Sequence, residues 1–151
     1  MKTTKRYGNK ADRALSMWVK LARAASTFSR LTCEDIRRYG LTPPQFGALE
    51  TLGHLGPLPL GALCRKQLVS GGNMTVVVDN LEKEGLVERI PGAKDRRVTL
   101  VQLTAKGKKQ FDKIFTQHAR RVAELASVLT EQEQEELGRL SKKLGIALQR
   151  K

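Results

Sequence analysis

Between Leu60 and Leu103 the chain has room only for short elements, and its punctuation defines them closely. Leu60, Leu63 and Cys64 recur at helical spacing, which predicts a short helix over about Leu60 to Gln67 with those residues inward. Leu68-Val69-Ser70-Gly71-Gly72 is a turn. A second helix runs from about Gly71 to Glu84 on a stripe of Met74, Val77, Val78 and Leu81, and Gly85 stops it, since glycine takes the left-handed C′ conformation at little cost. Val87 to Ile90 and Val98 to Leu103 are short runs with β-branched residues, separated by the Pro91-Gly92-Ala93-Lys94 loop, and read as a β-hairpin. Helix, tight turn, helix and hairpin together make a winged helix-turn-helix. The second helix of such a unit fits the B-DNA major groove, which at ~12 Å wide admits one helix. Two helices joined by a glycine turn are also an ordinary core pair, and it is the hairpin that favours the winged reading.

Longer helices flank this segment. Leu15, Trp18, Leu21, Ala22, Ala25, Phe28 and Leu31 recur at steps of three and four, predicting an amphipathic helix from about Ala11 to Tyr39 with Gly40 as its stop. Thr42-Pro43-Pro44-Gln45 is a helix start: Thr42 as N-cap, Pro43 at the first helical position, Gln45 closing a capping box. Phe46, Leu49 and Leu52 then line one face, and Gly53 with Gly56-Pro57 is expected to end that helix. Thr104 caps another helix reaching about Leu129 through Phe111, Ile114, Phe115, Val122 and Leu125. Thr130-Glu131-Gln132-Glu133 is a second capping box, opening a last helix on Leu137, Leu140, Leu144 and Leu148. The expected fold is mainly α (α+β), a winged helix-turn-helix lobe at 41–103 between long terminal helices, in one compact domain. One small lobe cannot cover the apolar faces of all these long helices, so they need a partner.

A chain of 151 residues suits a single domain. It holds 28 Lys+Arg against 15 Asp+Glu, a net charge of +13, which points to nucleic acid or to an anionic membrane surface. The excess is uneven: residues 1–30 carry +7 and 101–130 carry +4, whereas 71–100, which contain the second helix and the hairpin, sum to zero. No apolar run approaches the ~18 residues of a membrane span, and polar, basic Met1 to Lys10 is not a secretory signal. Cys33 and Cys64 are far apart without metal-ligand spacing and suit free thiols in a reducing cytosol. His54 and His118 have no Cys or His cluster near them. There is no Gly-rich phosphate loop and no nucleophile–base pair. The reading is therefore not an enzyme, with no cofactor and no metal.

Three blocks then carry a resemblance: Leu81-Glu82-Lys83-Glu84-Gly85-Leu86-Val87-Glu88-Arg89, Asp95-Arg96-Arg97, and Leu103-Thr104-Ala105-Lys106-Gly107. In order and spacing, over nearly the whole chain, they resemble the MarR family of bacterial transcriptional regulators. The resemblance implies a homodimer on a pseudo-palindromic DNA operator, usually as a repressor released by a small molecule or an oxidant. It makes 11–40 and 104–151 a helical dimerisation region and 1–10 a basic arm. The run Ser70-Gly71-Gly72-Asn73-Met74-Thr75 with Val78-Asp79 is similar to a subgroup that senses phenolic or quinone compounds.

On the second helix, positions opposite the buried stripe are Gly72, Asn73, Thr75, Val76, Asp79, Asn80 and Lys83. Asn73 can pair with adenine at two points, and the methyls of Thr75 and Val76 can pack on thymine methyls. Ser70, Gly71 and Gly72 can offer backbone N–H groups to a phosphate. The family often has Arg or Ser around Gly71, Gly72 and Val76; this chain has small or apolar residues there. In the hairpin, Asp95 and Arg97 stand two apart, so in an extended strand the carboxylate can hold the guanidinium, as the family pattern implies, and aim it into the minor groove. Lys94 and Arg96 would touch phosphates.

For an effector, the resemblance offers Trp18, Phe46 and His54, with Phe111 behind them: rings to stack on a small aromatic ligand and an imidazole to bond a phenol. The same aromatics also read as core residues and His54 as a satisfied helix-end residue, and that plainer reading is the favoured one. Cys64, beside Arg65 and Lys66, and Cys33, beside Glu34 and Asp35, leave an oxidant-sensing regulator open. So does the charge leave open a non-specific architectural nucleic-acid-binding protein, and the fold a winged interaction module without DNA binding. The expected setting is cytoplasmic and nucleoid-associated, with double-stranded DNA and a second copy of the chain as partners and no membrane.

Overall fold

The computed structural model describes residues 6–67, 71–92 and 95–149. In chain order the elements are α1 (Asn9–Arg37), α2 (Pro43–Leu55), β1 (Leu58–Pro59), α3 (Leu60–Gln67), α4 (Gly71–Lys83), β2 (Val87–Pro91), β3 (Thr99–Leu103), α5 (Ala105–Ala126) and α6 (Glu131–Leu148). The mainly helical winged helix-turn-helix fold expected from the sequence is present.

Local chemistry sets the boundaries. At the start of α2 the Thr42 backbone N–H donates to Gln45 Oε1 at 2.8 Å, and the Gln45 backbone N–H donates to Thr42 Oγ1 at 3.4 Å. Both halves of the capping box therefore satisfy donors that the first helical turn leaves over. Thr130 and Glu133 repeat the arrangement at α6. The stop of α2 differs from expectation. Gly53 lies inside the helix, and Gly56, at φ 75°, is the cap. Gly53 is small because a Cβ there would stand 2.5 Å from the Phe111 ring. The glycine lets α2 approach α5 rather than ending α2.

The sheet is antiparallel with order β1-β3-β2. In β2–β3, Val87 faces Leu103 and Arg89 faces Val101. The sequence reading missed β1, a two-residue strand that sets Leu58 opposite Val101. Leu58 and Pro59 have no alternation of their own to read; β3 recruits them.

Two compact units divide the chain, one ending at His118 and one beginning at Ala119. The first has a continuous core of Leu49 and Leu52 from α2, Leu63 from α3, Met74, Val77, Val78 and Leu81 from α4, Val87 and Val101 from the sheet, and Ile114 from α5. Each fully buried side chain of this kind stabilises the fold by roughly 1.5–3 kcal/mol. Gly107 in α5 lets this core close: a Cβ there would fall 1.8 Å from the Leu86 carbonyl oxygen. On α1 only Ile36 is buried, while Leu15, Met17 and Trp18 stay exposed. In the second unit α6 buries no residue, leaving Leu137, Leu140, Leu144 and Leu148 exposed.

Candidate nucleic-acid interface

The core grips α4 on one face and leaves the other open. Met74, Val77, Val78 and Leu81 are buried, while Gly71, Gly72, Asn73, Val76, Asn80 and Lys83 are exposed. This is the division the 3.6-residue period predicts. Thr75 is half-buried, and its hydroxyl donates to the Gly71 carbonyl oxygen at 3.0 Å. That back-bond occupies its polar atom within the helix. Ser70 lies outside the described residues. Because α4 begins at Gly71, the positive end of its dipole falls at Gly71–Asn73.

Asp79 is half-buried and paired. Arg89 of β2 donates from Nη2 to Asp79 Oδ1 at 2.5 Å, from Nη1 to Glu82 Oε2, and from its backbone N–H to Glu82 Oε1 at 3.1 Å. The bond to Asp79 raises the Arg89 pKa, against a burial that lowers it, so the clamp stays charged. Sequence reasoning missed this contact. Its trace was available: Asp79 and Glu82 are one helical turn apart, and Arg89 is the single cation between Lys83 and Lys94.

The hairpin tip presents a second set of groups. Gly92 is buried, with its N–H bonded to the Val98 carbonyl at 2.7 Å, and a Cβ there would stand 2.8 Å from the Asp95 carbonyl oxygen. Asp95 Oδ1 accepts from the Arg97 backbone N–H at 3.0 Å and from Arg97 Nε at 3.2 Å. The carboxylate thus orients the guanidinium as expected, but through a turn. Residues 95–98 lie outside β3, and the Val98 N–H returns to the Asp95 carbonyl at 3.0 Å. The extended geometry expected for Asp95 and Arg97 is therefore corrected: a carboxylate two residues back can cap a turn amide and hold the side chain together. The Arg97 side chain is 92% exposed and Arg96 is exposed. Lys94 lies outside the described residues.

A helix face and a wing arginine, both open and carried by one compact unit, form the candidate nucleic-acid surface. The MarR family model matches residues 39–98, from just after α1 to the hairpin turn before β3. The HTH-type transcriptional regulator MhqR of Bacillus subtilis (strain 168) is 36% identical over 135 residues, covering 89% of this chain and 93% of that protein. The chain belongs to the MarR family. It is a DNA-binding transcriptional regulator, not an enzyme. A MarR mutant from E. coli, solved in complex with operator DNA, superposes with a TM-score of 0.75 at 25% identity over 91% of this chain and 99% of that one. A probable transcriptional regulator from Pseudomonas aeruginosa gives 0.70 at 32% identity over 85% and 96%.

The residues suggested for an effector fall in two places. Phe46 is buried with its ring 4.7 Å from His118. His54 is exposed, edge-on to Phe111 and Phe115 at 5.3 and 4.6 Å. Phe115 and His118 complete a run of rings along α2 and α5. Trp18 stands on α1 instead, 59% exposed, beside an open hollow lined by Tyr7, Ala11, Ala14, Leu15 and Met17. Cys33 is half-buried with Sγ 3.9 Å from Ser29 Oγ, and Cys64 packs half-buried against the core. Among the described residues no group of His, Cys, Asp and Glu is placed to hold a metal, and no helix is long and apolar enough to cross a membrane.

Proposed function

We propose that the chain is a homodimeric repressor of a pseudo-palindromic operator, released by a small aromatic ligand. In this reading α4 enters the major groove with Gly72, Asn73, Val76 and Asn80 toward the bases. Ser70 and Gly71 meet a phosphate. The wing places Arg97 in the adjacent minor groove with Lys94 and Arg96 on phosphates. Thr75 supports the helix start through its bond to Gly71. The observation that carries the reading is the pairing of an open α4 face with an arginine that Asp95 holds out from the wing.

Dimerisation has its own support. Leu15, Met17 and Trp18 of α1, and separately Leu137, Leu140 and Leu144 of α6, stay exposed, and exposed apolar clusters of this kind mark interaction surfaces. Trp18, Phe46 and His54 are the residues that would respond to an aromatic effector.

Fluorescence anisotropy with intergenic DNA from beside the gene, at physiological salt, tests the core of the proposal. A specific regulator binds its site ~10³–10⁷-fold tighter than random DNA. Equal affinity for both would replace a repressor with an architectural protein. Sedimentation at micromolar concentration tests the dimer, and a monomer there contradicts it.

A further inference from the structure

We propose that Val76 is a specificity-determining residue that seats a thymine C5-methyl in the major groove, with A·T pairs read on either side of it by Asn73 and Asn80; this rests on α4 being the major-groove helix.

Val76 is 57% exposed, whereas its neighbours Val77 and Val78 are 7% and 0% exposed. It is the one large apolar residue of α4 outside the core. Val76 lies one turn from Asn73 and one turn from Asn80, so the three share the open face with a carboxamide on each side of the methyls. Among base edges in the major groove, thymine alone offers an apolar group, its C5-methyl. A carboxamide brings one donor side and one acceptor side, which match adenine N6 and N7; guanine offers two acceptors, O6 and N7, and leaves the carboxamide oxygen without a partner.

The other reading chemistries are missing from this face or engaged elsewhere. Guanine is read best by a guanidinium, and α4 contains no arginine. Its one cation, Lys83, is at the last position, whereas the residues nearer the N-terminus of such a helix meet base edges. Cytosine N4 is read by a carboxylate, and both carboxylates of α4, Asp79 and Glu82, are held by Arg89. Among the described residues nothing lies within 4 Å of a Cβ placed on Gly71 or Gly72, and neither glycine carries a side chain to hold the bases away. The face therefore carries a methyl reader with a carboxamide one turn to each side, a combination matched by A·T pairs.

The test starts from the full chain and a random-sequence duplex library, with selection and sequencing of bound DNA. An A·T-rich core is expected. Each thymine of the selected site is then replaced in turn by deoxyuridine, which deletes only the C5-methyl. At one position in each half-site the unmodified chain should lose about fourfold in affinity, the size of one buried methyl. Val76→Ala should show no loss at that same position. Deoxyuridine that is neutral at every thymine, or a loss that persists undiminished in Val76→Ala, overturns the proposal while leaving sequence-specific binding intact. A library that yields no enriched sequence overturns the major-groove reading itself, and the proposal with it. Val76 is outside the core and alanine is the better helix former, so its truncation should not lower the thermal unfolding transition; a lowered transition would instead assign Val76 to folding and also overturn the proposal.

Discussion

Arg89 Nη2 lies 2.5 Å from Asp79 Oδ1, so strand β2 holds the exposed side of α4 by a charged contact while the core holds its buried side. The same guanidinium also takes Glu82, because its donors form a rigid fork wide enough for two carboxylates a turn apart. Arg89→Ala leaves those two charges unbalanced on the helix proposed to approach phosphates. The pairs are partly exposed and screened, so a stability loss of about 1 kcal/mol is expected in urea unfolding. DNA affinity should fall by more than that loss explains. Arg89→Lys should recover only part, since an ammonium is a single point. An unchanged affinity in gel-shift titration would mean that α4 needs no clamp.

Arg97, proposed to enter the minor groove, stands on a turn that Asp95 closes with two bonds, 3.0 and 3.2 Å long. Arg97→Ala should weaken operator binding by ~1–3 kcal/mol. Asp95→Ala keeps the guanidinium but releases it, and a smaller loss is expected, because ordering the side chain must then be supplied on binding. Gel-shift titration at physiological salt measures both. Equal losses in the two variants would count against orientation as the role of Asp95.

Elements whose limits are set by neighbours in the chain were legible from sequence. Thr42 with Gln45 and Thr130 with Glu133 marked two helix starts by chemistry confined to four residues. The short helices α3 and α4 followed from apolar spacing and glycine. What was not legible depends on partners far along the chain. Leu58 and Pro59 become a strand only because Val101 and Leu100 lie opposite them. Gly53 looks like a stop until Phe111 is seen against it. In the interface, the open face of α4 was legible as a helical period. The removal of Asp79 from that face was not, since it requires Arg89 to fold back from β2.

The capping box of α6 should respond to acid. Hydrogen bonds from Thr130, first from its backbone and then from its hydroxyl, hold the Glu133 carboxyl below its ordinary value of 4.5. A carboxyl lowered in the folded state contributes fully above the unfolded value, and that contribution disappears as pH falls through the lowered one. The Thr130 amide should therefore lose hydrogen-exchange protection as pH drops below about 4.5. Glu133→Gln keeps an acceptor oxygen without a titrating proton, and its Thr130 amide should show no such step. A step of equal size in both proteins would place its origin elsewhere.

The net charge of +13 lies mostly away from the groups proposed to read bases, since residues 71–100 sum to zero. Lys109 and Lys113, one turn apart on the exposed side of α5, form no ion pair among the described residues. Such cations act through the field that they add around the molecule, which draws DNA inward before any contact forms. Replacing both by glutamine should slow association a few-fold at low salt and leave dissociation and base preference unchanged. The difference should vanish near 1 M salt, where the Debye length falls to ~3 Å. Stopped-flow anisotropy separates the two rates. A faster dissociation, with the slope of log K against log salt reduced by ~0.9 for each cation removed, would identify direct phosphate contacts instead. That outcome would extend the DNA-binding surface onto α5.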